Sequence, residues 1–198
     1  MGVRGYFIQY KFLIPDGIKH SSYTYQKLFR ALYGYTQNVT KSSGKTYKYH
    51  RKGILSQHPY IRPGKNCVII PPIVFSALIE FFKTGKNPSH KWGVKGNWRA
   101  VYYMNEKDVQ LADVIPAAED LLDRTFILST SKEHERLSAE VALLAELIKK
   151  SEKIDPVYKK ILLDESQRIV SLEWVAAAIQ KSEKIKQFAQ NLAVLKSV

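Results

Sequence analysis

Gly5–Ile14 reads GYFIQYKFLI, and Pro15-Asp16-Gly17 closes it. Aromatic and β-branched residues suit a pleated surface, so the stretch predicts a strand, expected to be buried on both faces. Immediately downstream, Ser21 or Ser22 can cap a helix that carries Tyr25, Leu28, Phe29 and Leu32 at helical spacing. Gly34 is a natural stop for it.

Beyond that helix, Asn38–Asn66 reads NVTKSSGKTYKYHRKGILSQHPYIRPGKN and contains no Asp or Glu. Lys41, Lys45, Lys48, Arg51, Lys52, Arg62 and Lys65 are interleaved with Tyr47, Tyr49, Tyr60, His50 and His58. Ser43-Gly44 marks a tight turn and Thr46-Tyr47-Lys48-Tyr49 alternates, which predicts a hairpin over 36–52. On a pleat Tyr47 and Tyr49 share one face while Lys48 and His50 share the other. A ribbon with cations on one side and aromatic rings on the other suits a phosphate backbone with unstacked bases. The Pro- and Gly-rich segment 58–66 is expected to be an ordered loop.

Cys67–Ile70 (CVII) predicts a short apolar strand, and Pro71-Pro72 starts a helix through Val74, Phe75, Leu78, Ile79 and Phe82 to Gly85. A second basic loop, 86–97, holds Lys91, Trp92 and Lys95; 98–104 (WRAVYYM) predicts a last strand. The order strand, helix, hairpin, strand, helix, strand implies an α+β fold. It would be a basic sandwich over residues 1–105, its mixed or antiparallel sheet covered by two helices on one face. That order resembles the split βαβ arrangement of RRM-like and ferredoxin-like modules, an architectural likeness only, since no RNP1 pattern is present.

Residues 106–198 change character and predict an all-helical hairpin or bundle for protein contacts. Pro116 is expected to open a helix through Leu121 and Leu122. Thr130 and Glu133 form a capping box for a longer helix, and Leu137, Val141, Leu144 and Ile148 make an apolar seam. Asp155-Pro156 is a strong N-cap and first-turn pair. Lys150-Ser-Glu-Lys-Ile154 recurs as Lys181-Ser-Glu-Lys-Ile185, which raises a duplicated unit against two ordinary amphipathic helices. The terminal stripe Ile185, Phe188, Leu192 and Leu195 is expected to fold back on the basic half or, in preference, to meet another subunit or protein.

Charge divides the chain the same way. Residues 1–99 hold 17 Lys and Arg against Asp16 and Glu80, a net of +15, while residues 100–198 hold 14 against 16 acids, a net of −2. Such segregation points to a polyanion for the first half. The lone Cys67 forbids an internal disulfide, Val3-Arg4-Gly5 interrupts any signal-peptide pattern, and no run reaches the ~18 apolar residues of a membrane span. A cytoplasmic location and no membrane association are therefore expected. Ser43-Gly44-Lys45-Thr46 imitates the end of a phosphate-binding loop, but Val39 stands where that loop needs its first glycine. No Cys/His set has zinc spacing, and Asp16 and Glu80 are too few to hold catalytic metals, so no metal or cofactor is expected. The resulting expectation is a non-enzymatic nucleic-acid-binding protein, RNA before DNA and the ribosome included, using the cations, tyrosines and His50 named above together with Lys91, Trp92 and Lys95. A metal-independent ribonuclease using His, Lys and Tyr is one alternative. An interaction protein acting mainly through its C-terminal helices is the other.

Overall fold

In β1 (Gly2–Leu13), Ile8, Tyr10 and Phe12 are buried while Gln9, Lys11 and Leu13 are exposed. The strand is therefore one-sided rather than buried on both faces, because its polar residues fall on every second position. The computed structural model describes residues 2–16, 18–19, 21–86, 94, 96–128 and 134–197. It is a mixed α+β protein with antiparallel sheets. The chain divides into two compact units, 1–38 with 49–110, and 39–48 with 111–198.

In the first unit, β1 leads to α1 (Tyr23–Tyr33), whose N-cap Ser22 accepts from the Tyr25 amide at 3.3 Å. Gly34, at φ 73°, ends the helix. The hairpin β2 (Tyr35–Thr40) and β3 (Thr46–Arg51) follows as its own two-stranded sheet, with residues 39–48 grouped in the second unit and the rest in the first. Its base is closed against the helix end: the amides of Ile54 and Leu55 donate to the carbonyls of Ala31 and Leu32 at 2.9 and 2.8 Å. These bonds occupy carbonyls that a helix C-terminus otherwise leaves open.

β4 (Ile61–Gly64) and β5 (Cys67–Ile70) come next, then α2 (Pro72–Thr84) and β6 (Arg99–Gln110). Part of the segment expected as a loop is thus a strand. Pro63 obscures it in the sequence, and it is tolerated because β4 lies at the sheet edge. β6 runs to Gln110, well past the expected end at Met104, because it pairs with β1 along its whole length, from Gly2–Gln110 to Leu13–Arg99. Its distal half is polar and exposed, so no apolar alternation announced it. The four-stranded sheet has the order β4-β5-β1-β6, and every neighbouring pair is antiparallel. Ile8, Tyr10 and Phe12 meet Leu28, Leu32, Val74, Leu78, Phe81 and Phe82 in one core. Trp98 packs edge-on to Phe12, their ring centroids 5.7 Å apart.

The second unit begins with α3 (Leu111–Asp123). Pro116 lies inside this helix rather than at its start, since the helix continues directly from β6. β7 (Phe126–Leu128) and β8 (His134–Arg136) pair antiparallel, so this half is not all-helical. Three-residue strands are too short to show a period of two. The capping box at Thr130 and Glu133 lies outside the described residues. α4 (Leu137–Lys149) begins after Arg136 with no side-chain cap.

α5 (Pro156–Val170) opens as expected, with Asp155 accepting from the amides of Val157 and Tyr158 at 2.8 and 3.0 Å. α6 (Glu173–Ala178) and α7 (Glu183–Lys196) complete the chain. The repeated pentapeptide adopts two structures. Ser182 is the N-cap of α7, whereas Ser151 sits in a connection at φ 59° and the next helix starts only after Asp155. At the spacing that superposes the two pentapeptides Ile161 aligns with Leu192, yet Ile161 is 51% exposed and Leu192 is 3% exposed. The expected free stripe is occupied by its own unit: α7 packs on α4 and α5, and Ile185, Phe188 and Leu195 join the core around Leu137, Val141 and Leu162. No helix among the described residues is long and apolar enough to cross a membrane.

Candidate nucleic-acid interface

The hairpin is built by local pairing. The Lys41 amide donates to the Lys45 carbonyl at 3.0 Å, and Gly44, at φ 78°, supplies the left-handed residue of the turn. Thr36 Oγ1 lies 3.0 Å from His50 Nδ1 and Thr40 Oγ1 lies 2.9 Å from Thr46 Oγ1, two pairs that fit a single antiparallel register. Thr36, Thr40, Thr46, Lys48 and His50 therefore share one face of the ribbon. Lys45, Tyr47, Tyr49 and Arg51 alternate onto the other, with Lys41 opposite Lys45.

That register corrects the expected separation of cations from rings. Lys41 Nζ lies 4.7 Å from the Tyr47 ring centre, Lys45 Nζ 5.5 Å, and the Arg51 guanidinium 5.6 Å from that of Tyr49. Each such contact contributes about 0.5–1 kcal/mol at an exposed site. The parity of Lys45 and Arg51 with the tyrosines was readable in the sequence. The place of Lys41 depended on the turn. Both rings are half-buried, whereas Lys41, Lys45, Lys48, Arg51 and Lys52 are exposed.

On the first unit, Arg62 sits 4.5 Å over the ring of Tyr33, and Tyr33 lies 5.6 Å from Tyr60. Tyr10 Oη and Tyr33 Oη are hydrogen-bonded at 2.8 Å. Burial, and then Tyr33, push the Tyr10 phenol well above its usual range, so it stays protonated. Tyr60 is thus a member of a packed aromatic group rather than a lone stacking ring. Lys65 is exposed on the Lys65-Asn66 turn between β4 and β5, where Asn66 takes φ 58°. Lys91, Trp92 and Lys95 lie outside the described residues.

Arg30, not among the expected contacts, stacks 4.9 Å from the Tyr35 ring and 5.5 Å from that of Tyr23. Its helical spacing from the apolar face of α1 placed it toward solvent, but only the exit of the chain into β2 brings Tyr35 to it. Among the described residues, no cluster of three His, Cys, Asp or Glu side chains is placed to hold a metal ion. No protein-family model, curated protein or solved structure matches the chain.

Proposed function

We propose that this chain is a non-enzymatic RNA-binding protein, a cytoplasmic component of ribonucleoprotein particles, whose basic first half grips phosphates while tyrosines meet exposed bases. The segregation of charge carries this reading: a net of +15 over residues 1–99 with only Asp16 and Glu80 among them. The hairpin adds exposed cations held against half-buried tyrosines, an arrangement that offers a ring and a positive charge together. The split βαβ connectivity of β1-α1-β4-β5-α2-β6 is a fold-level analogy in its favour and no more. The helical unit is assigned to protein contacts or self-association, through exposed Leu143, Val157 and Ile161 rather than the terminal stripe.

The test is a titration of labelled single-stranded RNA in EDTA at several salt concentrations. With roughly five phosphate contacts, log K against log salt slopes by about −4. The Lys48→Glu, Arg51→Glu, Lys52→Glu variant nearly abolishes binding without moving the thermal melt, and the RNA is recovered uncut. A salt-independent affinity overturns the electrostatic reading; cleavage in EDTA would favour the metal-independent ribonuclease. Sequencing RNA recovered with the protein identifies the ligand.

A further inference from the structure

On the face of the four-stranded sheet away from its helices, Ile69 and Val109 are buried, but the part formed by Gln9–Leu13 and Arg99–Tyr103 is exposed and sorted by charge. The register sets Gln9 beside Tyr103, Lys11 beside Val101 and Leu13 beside Arg99, and all six side chains are exposed. Tyr103 is 62% exposed, Val101 49% and Leu13 42%. The alternate positions of β1, Ile8, Tyr10 and Phe12, lie in the core under α1 and α2. Parity also partitions the acids of β6: Glu106 and Asp108 fall on the opposite face from Arg99, Val101, Tyr103 and Lys107. Glu106 is moreover paired with Arg4. The open side of β1 and β6 thus has Lys11, Arg99 and Lys107 without a carboxylate. Among the described residues no ion pair engages Lys11 or Arg99.

Resting on the RNA-binding reading above, we propose that this sheet face is a second RNA contact: a stacking platform for single-stranded RNA centred on Tyr103. The Tyr103 ring takes an unstacked base, Val101 and Leu13 floor the neighbouring positions, Lys11 and Arg99 hold phosphates, and the Gln9 amide reaches a base edge. Charge complementarity selects this occupant. An exposed aromatic ring with aliphatic neighbours offers apolar area to any ligand, but a face with cations and no carboxylate favours a polyanion, and only nucleic acid combines phosphates with flat π-faces. A duplex keeps its bases stacked inside and cannot use the ring, so the platform discriminates strand state.

The experiment uses the full chain and two fluorescent probes, an oligouridylate of about ten nucleotides, within the span of one such platform, and an RNA duplex. Tyr103→Ala is expected to weaken oligouridylate binding roughly ten- to hundredfold, as expected when one base loses its aromatic stack. Duplex affinity and the thermal melt stay at the parent's values, and Tyr103→Phe restores the single-strand affinity. Lys11→Gln with Arg99→Gln weakens the same probe and flattens its salt slope by about 1.4. If Tyr103→Ala and the double glutamine variant bind oligouridylate as the parent does, while the hairpin glutamate variant does not, the platform is overturned and the RNA-binding reading stands. If the parent binds neither probe, both fall. Should Tyr103→Ala lower the melt, Tyr103→Phe and the double glutamine variant decide the matter between them.

Discussion

Two glycines and a pair of phenols show how differently single residues are constrained in the basic half of the chain. A Cβ added to Gly53 would lie 2.2 Å from the Gly34 amide nitrogen and 2.6 Å from the Leu32 carbonyl oxygen, both rigid backbone atoms. Gly53→Ala must therefore push the base of the hairpin off the end of α1. A loss of about 1–3 kcal/mol or more is expected, read as a lower urea midpoint, whereas Gly44→Ala meets no atom and carries only the strain of its positive φ. An unchanged midpoint for Gly53→Ala would show that the clasp is not closed in solution. Tyr10 makes a different demand. Below about pH 10 both folded and unfolded chains keep its proton, and pH does nothing through it. Above that the unfolded chain releases the proton while the folded one, with its phenol held high by burial and by Tyr33, retains it. Stability then falls by about 1.4 kcal/mol per pH unit. Tyr10→Phe leaves Tyr33 without that partner and loses about 0.5–1.5 kcal/mol at neutral pH. The gap between parent and variant should narrow as pH rises past 10, and a gap constant with pH would contradict the buried hydrogen bond.

Elements were legible in the sequence where a local signal and the packing agreed. α1 with Ser22 and Gly34, α2 between Pro72 and Gly85, and α5 behind Asp155 all follow from caps that act within one turn. β4, the far half of β6 and the β7–β8 pair were not legible, because partner strands rather than their own composition hold them in place. The same limit governs the candidate interface. Composition alone marks Asn38–Asn66 as cationic and aromatic, but the pairing of Lys41 with Tyr47 needs the turn, and the exposed Tyr103 face needs the β1–β6 register. Within the hairpin this gives a specific expectation. If Tyr47 presents its ring to a base with Lys41 and Lys45 alongside, Tyr47→Ala weakens single-stranded RNA by ~1–3 kcal/mol, and Tyr47→Phe, which keeps the π-face, retains most of the affinity. Tyr47→Leu keeps bulk but not the ring, and it should behave like alanine in the binding assay. If leucine binds as well as phenylalanine, the residue serves packing and not stacking.

At the scale of the whole molecule, the helical unit owes its core to residues far apart in sequence. Ile185 and Leu195 of α7 are fully buried, and Phe188 and Leu192 are each 3% exposed. Ile185, Phe188 and Leu195 pack with the Leu137, Val141 and Leu144 seam of α4 and with Leu162 and Ile169 of α5. Ser182 ties the start of α7 to α3, accepting from the Ile185 amide at 3.1 Å and donating to Glu119 Oε1 at 2.6 Å. Lys184 adds an ion pair to Asp123 at 2.7 Å, exposed enough to contribute little. The stripe that the sequence left without a partner is thus the closing wall of this core. Phe188→Ala should remove about 3–5 kcal/mol, the cost of truncating a buried phenylalanine that leaves a cavity behind. The basic unit has its own apolar core around Ile8, Tyr10, Phe12, Leu28 and Phe81. The loss should therefore be local. Amide exchange in α4, α5 and α7 accelerates, while the β1 and β6 amides paired from Gly2–Gln110 to Leu13–Arg99 keep their protection. Light scattering should give the same mass for parent and variant if the stripe closes an intramolecular core. A dimer or larger assembly that dissociates on Phe188→Ala would instead place α7 at an interface between chains. Simultaneous loss of protection in β1 and β6 would mean that the two units unfold as one.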